Sequence, residues 1–291
     1  MQGKIIKGIA GFYVVESSGR RCMCKARGAF RKAGLKPLVG DLVRVEEAQT
    51  EKSEGSIEEI YPRKNVLIRP AVSNVDQALV VLALRQPDPQ LYLLDEYLLT
   101  MERQHIPAAI LWNKADLDTE NALESYAEIY HKAGYPVLSL STRTGEGMEA
   151  LRDWLRGRTT VLAGPSGVGK SSLTNLLCPD AAMETGEISR KISRGKQTTR
   201  HTELFPMGED SYLLDTPGFT SVWVEAEADE LRELFPEIWR WEGSCRFTGC
   251  RHLSEPDCAV KRAVETGEIS PSRYQSYERL MKEISERRRY G

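Results

Sequence analysis

The segment Gly164-Pro165-Ser166-Gly167-Val168-Gly169-Lys170-Ser171 has the form G-x-x-x-x-G-K-[ST]. The apolar run 159–163 precedes it, and the helix-compatible Ser172-Leu173-Thr174-Asn175-Leu176-Leu177 follows. Strand, glycine-rich loop and helix in that order leave few folds open, because the motif works only where a strand delivers the loop to the start of a helix. Glycines let the backbone approach phosphates closely with N–H groups turned inward, and the helix start adds the positive end of its dipole. Lys170 supplies charge for the outer phosphates, Ser171 a hydroxyl for Mg²⁺, and Gly164 to Ser172 together form the expected phosphate cradle.

Three further motifs extend the site. Asn113-Lys114-Ala115-Asp116 follows the apolar stretch 108–112 in the form N-K-x-D. A carboxylate there accepts paired bonds from the ring N–H and exocyclic amine of guanine, which adenine does not offer. Asn113 is expected to brace the loops and Lys114 to pack on the base. Ser139-Leu140-Ser141-Thr142, also just after a strand, is a second base-contacting loop, with Ser141 and Thr142 expected to act mainly through backbone N–H groups. Asp215-Thr216-Pro217-Gly218 matches D-x-x-G, with Asp215 holding Mg²⁺ through water and the Gly218 N–H sensing the γ-phosphate. Between the phosphate loop and Asp215 lie Thr198 and Thr199, and Thr199 is preferred as the switch threonine on the metal.

The order of these motifs is unusual. Common GTPases place the phosphate loop first and N-K-x-D late, whereas here Asn113–Asp116 and Ser139–Thr142 precede Gly164. The order is circularly permuted. Each loop still falls at the C-terminal end of a strand, so cutting and rejoining the chain keeps the site and changes what hangs from its ends.

Around this centre the pattern has three parts, expected over 1–64, 65–222 and 223–291. Residues 4–9, 11–16, 20–27, 41–45 and 56–60 read as short strands, rich in β-branched and aromatic residues and punctuated by Gly, Ser and Pro. They predict a small OB-like β-barrel. Residues 1–45 hold ten Lys/Arg against two Asp/Glu, a net of +8 in a chain whose total is −2. Such a front fits a polyanionic partner, or lysines that protect strand edges. From residue 65 apolar strands (75–84, 107–112, 136–141) alternate with helices (91–104, 120–133, 147–155), the mark of an α/β sheet covered on both faces. A hairpin-like pair follows at 202–207 and 211–214. After residue 220 the pattern is mostly helical, and a polar helix over 272–289 ends in Glu286-Arg287-Arg288-Arg289. That run either complements the helix dipole or touches RNA.

Cys245, Cys250, His252 and Cys258 form C-x4-C-x-H-x5-C. Three thiolates and an imidazole complete a closed tetrahedral zinc shell, so the expected metal is structural; the alternative is independent buried cysteines and a surface histidine. The other cysteines, Cys22, Cys24 and Cys178, are scattered, which speaks against a secreted disulfide framework. No apolar run is long enough to cross a bilayer and no leader precedes the first strand, so a cytoplasmic protein is expected.

The combination of basic β domain, permuted GTPase motifs and this Cys/His quartet closely resembles the ribosome small-subunit-dependent GTPase family. The resemblance covers essentially the whole chain. It implies an N-terminal OB-fold, a central circularly permuted P-loop GTPase domain and a helical zinc-binding domain. It further implies contact with the small ribosomal subunit and its rRNA, GTP/GDP with Mg²⁺, one structural Zn²⁺, and hydrolysis that rises on the subunit during its late maturation. A monomer is expected in solution. One departure concerns the catalytic set expected here, Lys170, Gln197, Thr199, His201 and Gly218. Phe219 stands where common GTPases often carry a water-orienting glutamine, and Gln197 stands where the family offers a histidine. Gln197 or His201 is left to orient the water. A GTP-sensing, nucleic-acid-binding regulator outside the ribosome is the other reading; an ATP-using kinase is disfavoured by Asp116.

Overall fold

A computed structural model of the chain describes residues 1–46, 54–68, 70–181, 202–215 and 226–290. The described residues cluster into two compact units. One lies within Met1–Leu79, Met148–Ala163 and Gly169–Thr220, the other within Val80–Gly147, Gly164–Val168 and Ser221–Gly291.

The first unit opens with β1 (Gln2–Ile9), β2 (Phe12–Ser17), β3 (Arg20–Ala26), β4 (Leu42–Glu46) and β5 (Gly55–Ile60), closed into a barrel in the order β1-β2-β3-β5-β4. β3 and β5 run parallel, and β1 closes on β4 antiparallel. Alternation sets the interior: Val43 and Val45 point in from β4, while Leu42 and Arg44 point out. Ile5 and Ile6 break the alternation and are both buried, because the register shifts between Ile5 and Lys7 and a bulge turns an extra side chain inward. A short helix, α1 (Gly28–Lys32), joins β3 to β4 and was not expected from the sequence. The fully buried Asp41 pins the chain beyond it. Its carboxylate accepts from Arg63 Nε (2.7 Å), Arg63 Nη2 (2.8 Å), Ser73 Oγ (2.6 Å) and Leu38 N (2.8 Å). Beside it Gly40, at φ +93°, has no room for a Cβ, which would fall 2.0 Å from the Ser73 carbonyl oxygen.

Acids on neighbouring strands temper the basic front. Lys25 pairs with Glu54, Arg27 with Glu58, Arg44 with Glu59 and Lys7 with Glu203. Over residues 1–60 the count is eleven Lys/Arg against eight Asp/Glu, a net of +3. Arg20 and Arg21 at the β2–β3 turn and Lys32 and Lys36 on the α1 side have no ion-pair partner among the described residues.

Two short strands, β6 (Val66–Leu67) and β7 (Val72–Ser73), pair antiparallel after the barrel, and the next strand, β8 (Gln77–Ala83), is buried at every residue. In the first unit its start leads the hydrogen-bonded order β8-β11-β13-β12, with β11 (Thr159–Ala163) parallel to β13 (Ser211–Asp215) and β12 (Leu204–Gly208) antiparallel at the edge. α4 (Met148–Leu155) precedes β11, and α5 (Lys170–Leu177) follows the glycine-rich loop. In the second unit its end continues as β8-β9-β10, with β9 (Ala108–Asn113) parallel to β10 (Val137–Ser139). α2 (Leu91–Arg103) and α3 (Ala122–Ala133) are the connecting helices. Apolar runs without alternation are what strands buried on both faces require.

The second unit also holds α6 (Ala228–Glu233), α7 (Pro236–Trp239), α8 (Ala259–Glu265) and α9 (Pro271–Tyr290). Leu231, Phe235, Ile238, Val260, Tyr277, Leu280 and Met281 form one apolar core with Leu99 of α2. A buried ion triad crosses it. Arg273 of α9, 1% exposed, donates through Nε to Glu237 Oε1 (2.6 Å) and through Nη1 to Asp95 Oδ1 (2.7 Å).

Candidate nucleotide site and metal centre

The glycine-rich loop leaves β11 and enters α5 with the backbone that its glycines permit. Gly164 (φ +133°), Gly167 (φ +85°) and Gly169 (φ +99°) are all left-handed, and Gly169 caps α5. A Cβ on Gly164 would lie 2.2 Å from the Val81 carbonyl oxygen, so loop and strand approach as only glycine allows. Val168 is buried and fixes the loop end. Lys170 and Ser171 open α5, whose Leu173, Thr174 and Leu177 face the interior.

Asn113, fully buried at the end of β9, ties three loops together. Its Nδ2 donates to the Val168 carbonyl (2.8 Å), and its Oδ1 accepts from Lys114 N (2.7 Å) and Thr142 N (3.2 Å). One amide thus joins the N-K-x-D turn, the glycine-rich loop and the loop after β10. Lys114 sits at φ +60° and sends Nζ to the Gly167 carbonyl (2.9 Å) and to the Gln86 carbonyl. Burial lowers its pKa, and the charge of Asp116 opposes that shift.

Asp116 is anchored from the loop after β10. Ser141 Oγ donates to Oδ1 (2.5 Å), and the Arg143 guanidinium forms an ion pair with Oδ2, its Nε 3.0 Å away. Ser141 Oγ also accepts from Arg143 N (3.2 Å) and Thr144 N (3.1 Å). The Ser141 and Thr142 N–H groups donate within this assembly, to Glu146 O and Asn113 Oδ1. Sequence reasoning singled out Ser141 and Thr142 but passed over Arg143 and the Gln86 carbonyl. Arg143 directly follows the paired hydroxyl residues, a position that a closer reading of the loop could have flagged. Asp215 ends β13, as the D-x-x-G reading requires. Gln197, Thr199, His201 and Gly218 lie outside the described residues.

In the second unit the ligand atoms of Cys245, Cys250, His252 and Cys258 all fall within 4.8 Å of one another. His252 Nδ1 is 3.5 Å from Cys245 Sγ and 3.4 Å from Cys258 Sγ, and those sulfurs are 3.9 Å apart. With Zn–S of about 2.3 Å and Zn–N of about 2.0 Å, the edges of a tetrahedral shell are roughly 3.5 to 3.8 Å, so the residues fit a zinc-sized ion. The Ala259 N–H donates to Cys245 Sγ (3.3 Å), a contact suited to a thiolate. Burial pushes the Cys250 thiol up to about 12 and raises Cys258 as well, so a cation must displace their protons. Tyr274 and Tyr277 fasten the loop to α9 by donating to the His252 and Arg251 carbonyls (2.6 and 2.8 Å).

Comparison with known proteins agrees with this arrangement. The RsgA GTPase family model matches residues 60–225, and the RsgA N-terminal domain model matches residues 2–57. The small ribosomal subunit biogenesis GTPase RsgA of Agathobacter rectalis is 50% identical over 302 residues, covering all of both chains. Among solved structures, YjeQ from Thermotoga maritima superposes with a TM-score of 0.82 at 35% identity, covering 97% of this chain and 98% of that one. YloQ, described as a circularly permuted GTPase, superposes with a TM-score of 0.79 at 41% identity over 98% and 95% of the two chains.

Proposed function

The chain belongs to the RsgA GTPase family, and on that premise we propose that it hydrolyses GTP in the late maturation of the small ribosomal subunit, binding rRNA and timing its own release by hydrolysis. It is a circularly permuted GTPase with an N-terminal five-stranded barrel and a helical C-terminal region. The division into 1–64, 65–222 and 223–291 is part of the proposal. The observation that carries the nucleotide assignment is Asn113, whose one amide holds the phosphate loop and the base loops in a single assembly.

In this reading Asp116 accepts the guanine N–H groups, Lys114 packs on the base, Ser141 and Thr142 line its other edge, and Gly164 to Ser172 cradle the phosphates. Ser171, Thr199 and Asp215 would hold Mg²⁺, which neutralises charge on the phosphates. Lys170 and the Gly218 N–H contact the outer phosphate, and Gln197 or His201 orients the attacking water. Cys245, Cys250, His252 and Cys258 would hold one structural zinc. We take the protein to act as a cytoplasmic monomer; among the described residues no helix is long and apolar enough to cross a membrane. Small subunits are expected to cosediment with the protein and raise its GTP turnover. Turnover that ignores them would favour the GTP-sensing regulator instead.

Asp116→Asn is expected to weaken guanine nucleotide binding by about 1.5 to 3 kcal/mol and to admit xanthine nucleotides, because the amide presents a donor where guanine needs an acceptor. Direct titration checks this, and unchanged GTP affinity would remove the base-site assignment. Gln197→Ala and His201→Ala separate chemistry from binding: at least one should slow single-turnover hydrolysis on small subunits with nucleotide affinity kept. If both run at the wild-type rate, the water is positioned by the ribosome or the backbone.

A further inference from the structure

We propose that Arg143 is a positioning residue for guanine selectivity, acting by fixing the Asp116 carboxylate from the side opposite Ser141. The inference rests on the nucleotide reading above and adds to it a residue outside all of its motifs.

The Ser141 hydroxyl accepts two N–H donors, from Arg143 (3.2 Å) and Thr144 (3.1 Å). With both lone pairs engaged, its single proton is directed at Asp116 Oδ1, 2.5 Å away. The other oxygen, Oδ2, faces the Arg143 guanidinium in an ion pair, with Nε 3.0 Å away. One carboxylate oxygen therefore carries a directed hydrogen-bond donor and the other a cation at contact distance. A carboxylate offers about four lone-pair sites, so one acceptor direction remains on each oxygen, matching the ring N–H and 2-amino group of guanine. Ser141 alone holds one oxygen and leaves the carboxylate plane free to turn about its last torsion; the cation beside Oδ2 opposes that turn. Preorganisation of this kind favours the ligand that uses both oxygens over one that uses a single oxygen.

The exposures divide the work. The Asp116 side chain is 11% exposed and that of Arg143 is 77% exposed. The ion pair is open to water and contributes little to folding, so Arg143 can be removed without unfolding the loop. The backbone N–H of residue 143 still serves Ser141 in any variant. What Arg143 adds is direction, and hypoxanthine, which lacks the 2-amino group, is the probe that reads direction apart from general affinity.

The experiment measures GDP and IDP affinities of the full chain by titration for wild type, Arg143→Ala, Arg143→Lys and Arg143→Gln. For Arg143→Ala, GDP affinity should fall about three- to fivefold, the range of an exposed ion pair, while IDP affinity changes less and the GDP:IDP ratio shrinks. Arg143→Lys, which keeps the charge on a different head group, should recover part of the ratio. Arg143→Gln, which lacks the charge, should recover less of it. A ratio unchanged in Arg143→Ala, or tighter GDP binding showing that Arg143 competes with the base, overturns the proposal. A wild-type chain that binds neither nucleotide would sink the nucleotide reading itself, an outcome distinct from an unchanged ratio.

Discussion

Replacing Cys250 by Ser is expected to abolish metal retention and unfold the segment around Cys245–Cys258. Cys250 is buried, and its partners already converge on a point sized for zinc. Structural zinc sites of this donor type bind with apparent free energies of about 10–16 kcal/mol. That is comparable to the whole stability of a domain, about 5–15 kcal/mol. Residues 245–258 form no helix or strand. Cys250 and Cys258 pack in the apolar cluster, and Tyr274, Tyr277, Arg232 and Lys261 bond to the segment's carbonyls, but hydrogen bonds worth about 1 kcal/mol each do not offset a loss of that size. Elemental analysis should find one zinc per wild-type chain and none in the variant, and chelator should reproduce the change. Guanine nucleotide binding should persist, because the bonds of Asn113, Lys114 and Asp116 lie among residues 86–168. Wild-type protein free of zinc, when prepared without chelator, would count against the site.

Arg273→Met should cost about 3–5 kcal/mol, the loss typical when one partner of a buried ion pair is removed. Arg273 is wholly buried between Asp95 and Glu237, beneath the rings of Phe235, Tyr130 and Tyr135 at 4.7 to 5.8 Å. Methionine fills much of the same volume, so the loss comes from two carboxylates stranded without a counter-charge. The triple variant Arg273→Met with Asp95→Asn and Glu237→Gln should therefore lose less than the single change, as measured by denaturant unfolding. The pH dependence follows from Asp95. Burial raises its pKa in the folded chain, against the pull of Arg273. A carboxyl whose folded pKa exceeds its unfolded value stabilises the fold below the unfolded value and loses that contribution as pH rises through the folded one. Without Arg273 the rise is larger, so the deficit of the variant should shrink as pH falls toward the carboxylate range. A cost under about 1 kcal/mol would mean that the triad does not hold α9 to α2.

What could be read without a fold was whatever is local in the chain. The glycine-rich loop and N-K-x-D each place their chemistry within a few residues, where backbone geometry alone brings the groups together, and the Cys/His quartet shows its ligand types in one short segment. The permuted order was legible for the same reason, since order along the chain needs no coordinates. The β-branched and aromatic content of the barrel strands and the apolar runs of β8 and β11 were also legible, because a strand covered on both faces needs no polar alternation. α1 escaped notice because five residues are too few to show a helical period.

Tertiary structure decided how distant parts meet. Asp95, Glu237 and Arg273 are ordinary charged residues in the sequence, and only the packing of α2 against α7 and α9 turns them into a buried triad. The basic front reads as +8 until the fold sets Glu54, Glu58 and Glu59 beside its cations. Asn113 was expected to brace loops, but which N–H and carbonyl groups it engages depended on three strand ends converging. The pairing of Arg143 with Asp116, and with it the orientation of the carboxylate, joins residues 27 positions apart. Local sequence determines which chemical groups a segment offers; which of them lose water and gain a partner is set by long-range packing, because desolvation and pairing are properties of the assembled core.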